Sequence, residues 1–198
     1  MKNVIYPLKF TFKIGTFSND FVITDANGTT LSYVKQKMFK LKEDILCYDN
    51  ESKTNIIYRI KANKWLDYSA TYVFSDDKDV EIGKVARKGR ASIWKAKYDI
   101  LSNNDAHEFT IKEENPWAKV FDALLGEIPF LGLFTGYLFN PKYAVLNGQQ
   151  QPILRLKKEG SFFGRKFSLE KLGDFSDTEQ ERIILGLMMM VLLERRRG

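Results

Sequence analysis

The chain has 198 residues, 44% of them hydrophobic and 28% charged, with one Cys, one His and a formal charge of +6. A single Cys excludes an intramolecular disulfide, and with a lone His it excludes the usual zinc sites. The length and mix exclude a disordered, collagen-like or coiled-coil chain, and residues 1–198 read as one domain carrying an insertion.

At the N-terminus, MKNVIYPLKFTFKIG lacks the unbroken apolar run of a signal peptide, because Lys9 and Lys13 interrupt it. The expectation is a cytoplasmic protein with Cys47 reduced. Most of the chain reads as strands. Leu8, Phe10, Phe12 and Ile14 alternate with Lys9, Thr11 and Lys13, the period of a half-buried strand. Tyr68, Ala70, Tyr72 and Phe74 repeat that pattern, as do Trp94, Ala96, Tyr98 and Ile100 and then His107 to Ile111. Asx-rich turns open at Asp25, Asp49, Asp76 and Asn103, with spacings of 24, 27 and 27 residues, and a further one opens at Asn147-Gly148. Such a long antiparallel meander must cover its edges, and closure into a barrel removes them.

Between Lys84 and Lys97 stand Lys84, Arg87, Lys88, Arg90, Lys95 and Lys97 with no acid among them. This stretch predicts a hairpin turning near Gly89, with Lys95 and Lys97 facing outward, away from Trp94. These six residues are the candidate anion-binding set, since clustered charge suffices to attract an anionic lipid headgroup. A solvated hairpin is the plain alternative. Nucleic acid is disfavoured, because single strands need aromatics exposed among the charges, and here they alternate inward.

Residues 115–140 interrupt the meander, within a 101–140 segment that holds two Lys against six Asp and Glu. Asn115 and Pro116 can open a helix, and Trp117, Val120, Phe121, Leu124, Leu125 and Ile128 then fall on one face. A second apolar run extends from Phe130 to Phe139. Trp117, Phe121, Leu124, Phe130, Phe134 and Phe139 are the candidate membrane- or partner-contact residues. The segment is open to three readings: an apolar hairpin packed on the barrel or on a partner, a dip into one leaflet, or a span opposed by Asp122, Glu127 and Pro129.

Near the C-terminus, Ser176 and Glu179 form a capping box ahead of Ile183–Leu193, which is apolar on every face. That run is about 16 Å long, too short for a bilayer, so the helix, about residues 177–195, belongs inside the protein. A sheet that must close and a helix that must be surrounded fit together.

The Asx-turn meander, the strands FVITDANGTTLSYV and DVEIGKVARKG, and the short all-apolar C-terminal helix resemble the tubby-like superfamily, nearest its LURP-one-related and scramblase-like branch. The resemblance implies a closed antiparallel barrel of about twelve strands wrapped round the final helix. It also implies attachment to membrane phospholipid, since tubby proteins bind phosphoinositides and scramblases associate with bilayers. The cysteine cluster and calcium loop of those branches have no match here, so no site residues carry over.

Other constellations argue against catalysis. His107 and Cys47 lie on separate strands, with nothing to pair them. Asp76, Asp77, Asp79 and Glu81 lack the Gly and Glu positions of an EF-hand loop and read as a hairpin tip. Gly83 and Gly89 read as turn or bulge glycines. The expectation is therefore a non-enzymatic binding module, with no cofactor, metal or small-molecule substrate. It would sit peripherally on the inner face of a membrane, with anionic phospholipid as partner. The alternative is an interaction or homo-oligomeric scaffold that docks a protein partner or a second copy through residues 117–139.

Overall fold

A computed structural model of the chain describes residues 4–14, 19–36, 44–62, 71–87, 97–114, 141–160 and 166–195. Twelve strands run in order: β1 (Leu8–Phe12), β2 (Phe21–Thr24), β3 (Thr30–Gln36), β4 (Asp44–Tyr48), β5 (Ile56–Ala62), β6 (Thr71–Asp76), β7 (Glu81–Arg87), β8 (Lys97–Ser102), β9 (His107–Glu113), β10 (Lys142–Leu146), β11 (Pro152–Glu159) and β12 (Lys166–Lys171). Each pairs antiparallel with its sequence neighbours, and β12 returns to β1 with Leu8 opposite Leu169, closing the barrel. The helix α1 (Asp177–Arg195) succeeds β12 and fills the interior.

The five described turns share one construction. In each, a residue three places after the opening one returns its N–H to the opening carbonyl and takes a left-handed backbone: Gly28, Lys53, Asp79, Asp105 and Gln150, with φ between 59° and 82°. This is the type I turn plus bulge favoured by short hairpins. Asp25, Asp76 and Asn147 each accept two further N–H bonds on one side-chain oxygen, at 2.8–3.0 Å. The opening residues are Asp25, Asn50, Asp76, Ser102 and Asn147, which corrects two sequence assignments. Asn50 rather than Asp49 accepts from Ser52 N–H, and Ser102 rather than Asn103 accepts from Ala106 N–H. A serine hydroxyl caps such a turn as an Asx oxygen does.

Because the strands alternate in direction, all five tight turns lie at one end of the barrel. Phe12, Gln36, Ala62, Arg87, Glu113 and Glu159 end their strands at the other. Helix α1 enters from the tight-turn end. Its start is fixed there by the predicted capping box: Ser176 N–H donates to Glu179 Oε2 at 2.7 Å, and Glu179 N–H donates to Ser176 Oγ at 3.3 Å. Tyr6 donates to Gln180 and Tyr58 to Glu181. Arg182 grips Glu108 through two bonds of 2.6 and 2.8 Å.

Beyond these ties the helix is apolar and enclosed. Ile183, Ile184, Leu185, Leu187, Met188, Met189, Met190, Val191 and Leu192 are all at most 2% exposed. The inward residues of the sheet surround them, Phe10, Phe21, Val34, Ile45, Ile60 and Phe74 among them. Gly186 lets Ile100 pack onto the helix axis, and a Cβ there would sit 3.0 Å from its Cδ1. One strand expectation fails at its end: β1 stops at Phe12, and Ile14 is 66% exposed. The predicted strand positions Tyr68, Ala70, Trp94 and Ala96 and the turn glycine Gly89 lie outside the described residues.

Candidate anion-binding face

The tight-turn end of the barrel is acidic. The five turns and the approach to α1 (25–29, 49–55, 76–80, 102–106, 147–151 and 172–181) hold eleven acids against two lysines. With the whole chain at +6, the remaining residues carry +15. The acids at residues 177–181 also meet the positive end of the helix dipole, which accounts for part of that excess.

The structure separates the basic residues proposed from sequence. Lys84 faces outward but is only 15% exposed, its ammonium 2.8 Å from Asp105 and 3.2 Å from Glu81. Hydrogen bonds to Asp105 and then Glu81 hold that proton more firmly than usual. Lys84 is thus committed within the wall. Arg87 stands opposite Tyr98, two places from Val85, on the inward face of β7, with Nε buried and unbonded. Lys97 is exposed on the outward face, next to inward Tyr98, as the alternation predicts. Lys88, Arg90 and Lys95 lie outside the described residues, as do Trp117, Phe121, Leu124, Phe130, Phe134 and Phe139.

Register brings two further lysines to Lys97. Lys112 on β9 is directly opposite it. Lys112 is in turn opposite Ala144 on β10, and Lys142 stands two residues along that strand on the same outward face. All three are exposed, and among the described residues none of their ammonium groups makes an ion pair or hydrogen bond. Three described acids on the wall around them are engaged elsewhere. Glu114, beside Lys142, takes three bonds of 2.9–3.0 Å from Arg155. That pair arches across β10 where Ala144 offers no side chain beyond Cβ. Glu170 pairs with Lys157 at 2.7 Å. Asp99, 3% exposed, accepts from Thr110 Oγ1 at 3.1 Å. Directly opposed like charges destabilise a sheet, and among the described residues no acid offsets the Lys97–Lys112 pair. Sequence distance conceals the trio, because the register of β8, β9 and β10 creates it.

His107 sits on this outer wall, with Nε2 3.0 Å from Thr110 Oγ1 and 3.6 Å from Asp99 Oδ1. Both contacts fall on one ring nitrogen, so the imidazole does not bridge an acid to a nucleophile as a triad requires. Cys47 lies on the other side of the sheet, in the core, 3.8 Å from Met188 Sδ. Burial pushes its thiol up to about 12. Cys47 is therefore expected to resist iodoacetamide in the native protein at pH 8 and to react once unfolded, because the thiolate is the nucleophile. The raised folded value has a second consequence. Above pH 9 the unfolded chain loses the thiol proton that the native state keeps, so stability falls as pH rises toward about 12. Prompt native alkylation detected by mass spectrometry would contradict the buried placement. Among the described residues no group of three His, Cys, Asp or Glu side chains could hold a metal, and no helix is long and apolar enough to cross a membrane.

The family model for LURP-one-related proteins matches residues 8–132. The chain is a LURP-one-related protein. The match spans β1 to β9, and the family belongs to the tubby-like and scramblase-like superfamily. The closed barrel about a C-terminal helix that the resemblance implied is the architecture observed. Neither a curated protein nor a solved structure matches the chain. Of the lysine trio of this LURP-one-related barrel, Lys97 and Lys112 fall inside the matched region and Lys142 beyond it.

Proposed function

We propose that this LURP-one-related protein is a non-enzymatic binding module that associates peripherally with anionic phospholipid surfaces. The supporting observation is the set of outward lysines Lys97, Lys112 and Lys142, whose ammonium groups have no partner among the described residues, at the end of the barrel away from its acidic turns. An anionic membrane attracts lysines at its surface by about 1 kcal/mol each, and the acids at the far end orient the barrel by repulsion. The basic sequence 88–96 and the apolar sequence 115–140 are continuous with the strand ends that bear these lysines.

Co-sedimentation with vesicles tests the reading. The protein is expected to bind phosphatidylcholine vesicles containing phosphatidylserine, to leave them as salt rises, and to ignore neutral vesicles. The triple variant Lys97→Gln, Lys112→Gln, Lys142→Gln is expected to lose about 3 kcal/mol, on the order of a hundredfold. Equal recovery with neutral and anionic vesicles at low and high salt overturns the proposal. Salt-independent self-association abolished by deleting residues 117–139 would point instead to the scaffold reading.

A further inference from the structure

We infer that Asn27 is a site of spontaneous covalent modification, in which its side-chain amide is lost to attack by the backbone nitrogen of Gly28, and that the turn at Asn147 protects the matching dipeptide there. Asn-Gly leaves this attack least hindered, because the nitrogen belongs to a residue with no Cβ. The pair occurs at Asn27-Gly28 and at Asn147-Gly148. Both lie in tight turns at the acidic end of the barrel, but they hold different places in them. Asn147 opens its turn, and its carboxamide oxygen is pinned by the N–H groups of Gln149 at 3.0 Å and Gln151 at 2.9 Å. Asn27 comes two places after the opening residue. The cap of that turn is Asp25, which takes the N–H groups of Asn27 and Thr29 at 2.9 and 2.8 Å. The Asn27 side chain is therefore exposed, and among the described residues its carboxamide makes no hydrogen bond. The restraint at Asn27 falls on the nucleophile instead, since Gly28 N–H donates to the Asp25 carbonyl at 3.0 Å. Reaction thus breaks one of these bonds at Asn27 and two at Asn147. One net hydrogen bond corresponds to about fivefold in rate.

The Gly28 amide gives its proton to solvent base, and its nitrogen forms a bond to Asn27 Cγ. The Cγ–N bond of the carboxamide breaks, and ammonia leaves. Water then opens the resulting cyclic imide at either carbonyl. One opening leaves aspartate at position 27, and the other leaves isoaspartate, with the main chain routed through Cβ. Both add a carboxylate to an end already rich in acids. Isoaspartate also lengthens the main chain by one atom inside the turn. There Asp25 N–H donates to the Thr29 carbonyl at 3.0 Å, and Asp25, only 6% exposed, holds its cap. The β2–β3 hairpin is expected to loosen, with a fall of a few degrees in melting temperature for the modified fraction.

Peptide mass mapping of the full chain tests this, with samples held at pH 8 in buffer and in urea. In buffer, the mass gain of replacing an amide by a carboxylate is expected to build up about fivefold faster at Asn27 than at Asn147. In urea the two are expected to react at similar rates, because the turns that distinguish them are gone. The variant Gly28→Ala places a Cβ on the attacking residue, in open space, though at a φ of 82°. It is expected to suppress the gain at Asn27 in urea as well as in buffer, so the result does not depend on how well the variant folds. Equal rates at the two sites in buffer overturn the inference. So does a preference for Asn27 that persists undiminished in urea, or a gain at Asn27 that survives Gly28→Ala.

Discussion

A chain ending at Asp174 is expected to be unfolded, with no cooperative melt and no dispersed amide spectrum. The nine apolar side chains from Ile183 to Leu192 are at most 2% exposed. Burying each is worth about 1.5–3 kcal/mol, so α1 contributes roughly 15–25 kcal/mol of gross hydrophobic stabilisation, an upper bound because unfolded chains already bury some surface. Net stabilities of natural domains are only about 5–15 kcal/mol. The loss is compounded on the barrel side, where Phe10, Ile45, Ile60, Phe74 and Ile100, each fully buried, would line a void. Met188, Met189 and Met190 supply the unbranched, adaptable volume that an enclosed cylinder needs. Circular dichroism with a native-like β signal and a sharp thermal transition in the truncated chain would show that the barrel closes without its helix. The same result would remove the reason for so apolar a helix.

The parts of this fold that depend on local pattern are legible in the sequence. Alternation marks β1, β6, β8 and β9, the Asx caps mark the turns, and Ser176 with Glu179 marks the start of α1. The all-round apolarity of residues 183–193 then demands a closed sheet to surround it. Where side-chain chemistry is interchangeable, assignment slips by one residue, as with Ser102 standing in for an Asx cap. The described part of the basic stretch divides between faces for a different reason. Lys84 and Arg87 are three apart on one strand, so alternation already sends them to opposite faces. Proximity in sequence is not proximity on a sheet. Lys112 and Lys142 are thirty residues apart and lie on adjacent strands, with the interrupting segment between them. Only the β9–β10 register, with Ala144 opposite Lys112, joins them, and register is a tertiary property.

Replacing Gly83 by alanine is expected to cost about 2–4 kcal/mol, through an arginine on another element. Gly83 stands on β7 beside a bulge, where Phe74 pairs with Gly83 but Ser75 pairs with Glu81. Its bare backbone is what Arg182 crosses on the way from α1 to Glu108. A Cβ at that point would lie 2.6 Å from Arg182 Cδ and 2.7 Å from the Leu101 carbonyl oxygen. The side chain can move aside but the carbonyl cannot, so β7 and β8 must part slightly even after Arg182 swings away. Once displaced, Arg182 leaves Glu108 without the guanidinium that meets it at 2.6 and 2.8 Å, in a site where the two side chains are 14% and 21% exposed. For a chain of this size the loss corresponds to a fall in melting temperature of roughly 5–15 °C. Glu108→Gln alone keeps the space and weakens the charged hydrogen bonds, at about 1.5–3 kcal/mol. The two substitutions act on the same arginine, so the double variant is expected to lose less than their sum by at least about 0.5 kcal/mol. Additive losses would mean that Gly83 is required only by the bulge. In that case the polar latch at the start of α1 and the glycine on β7 would be independent features of the barrel.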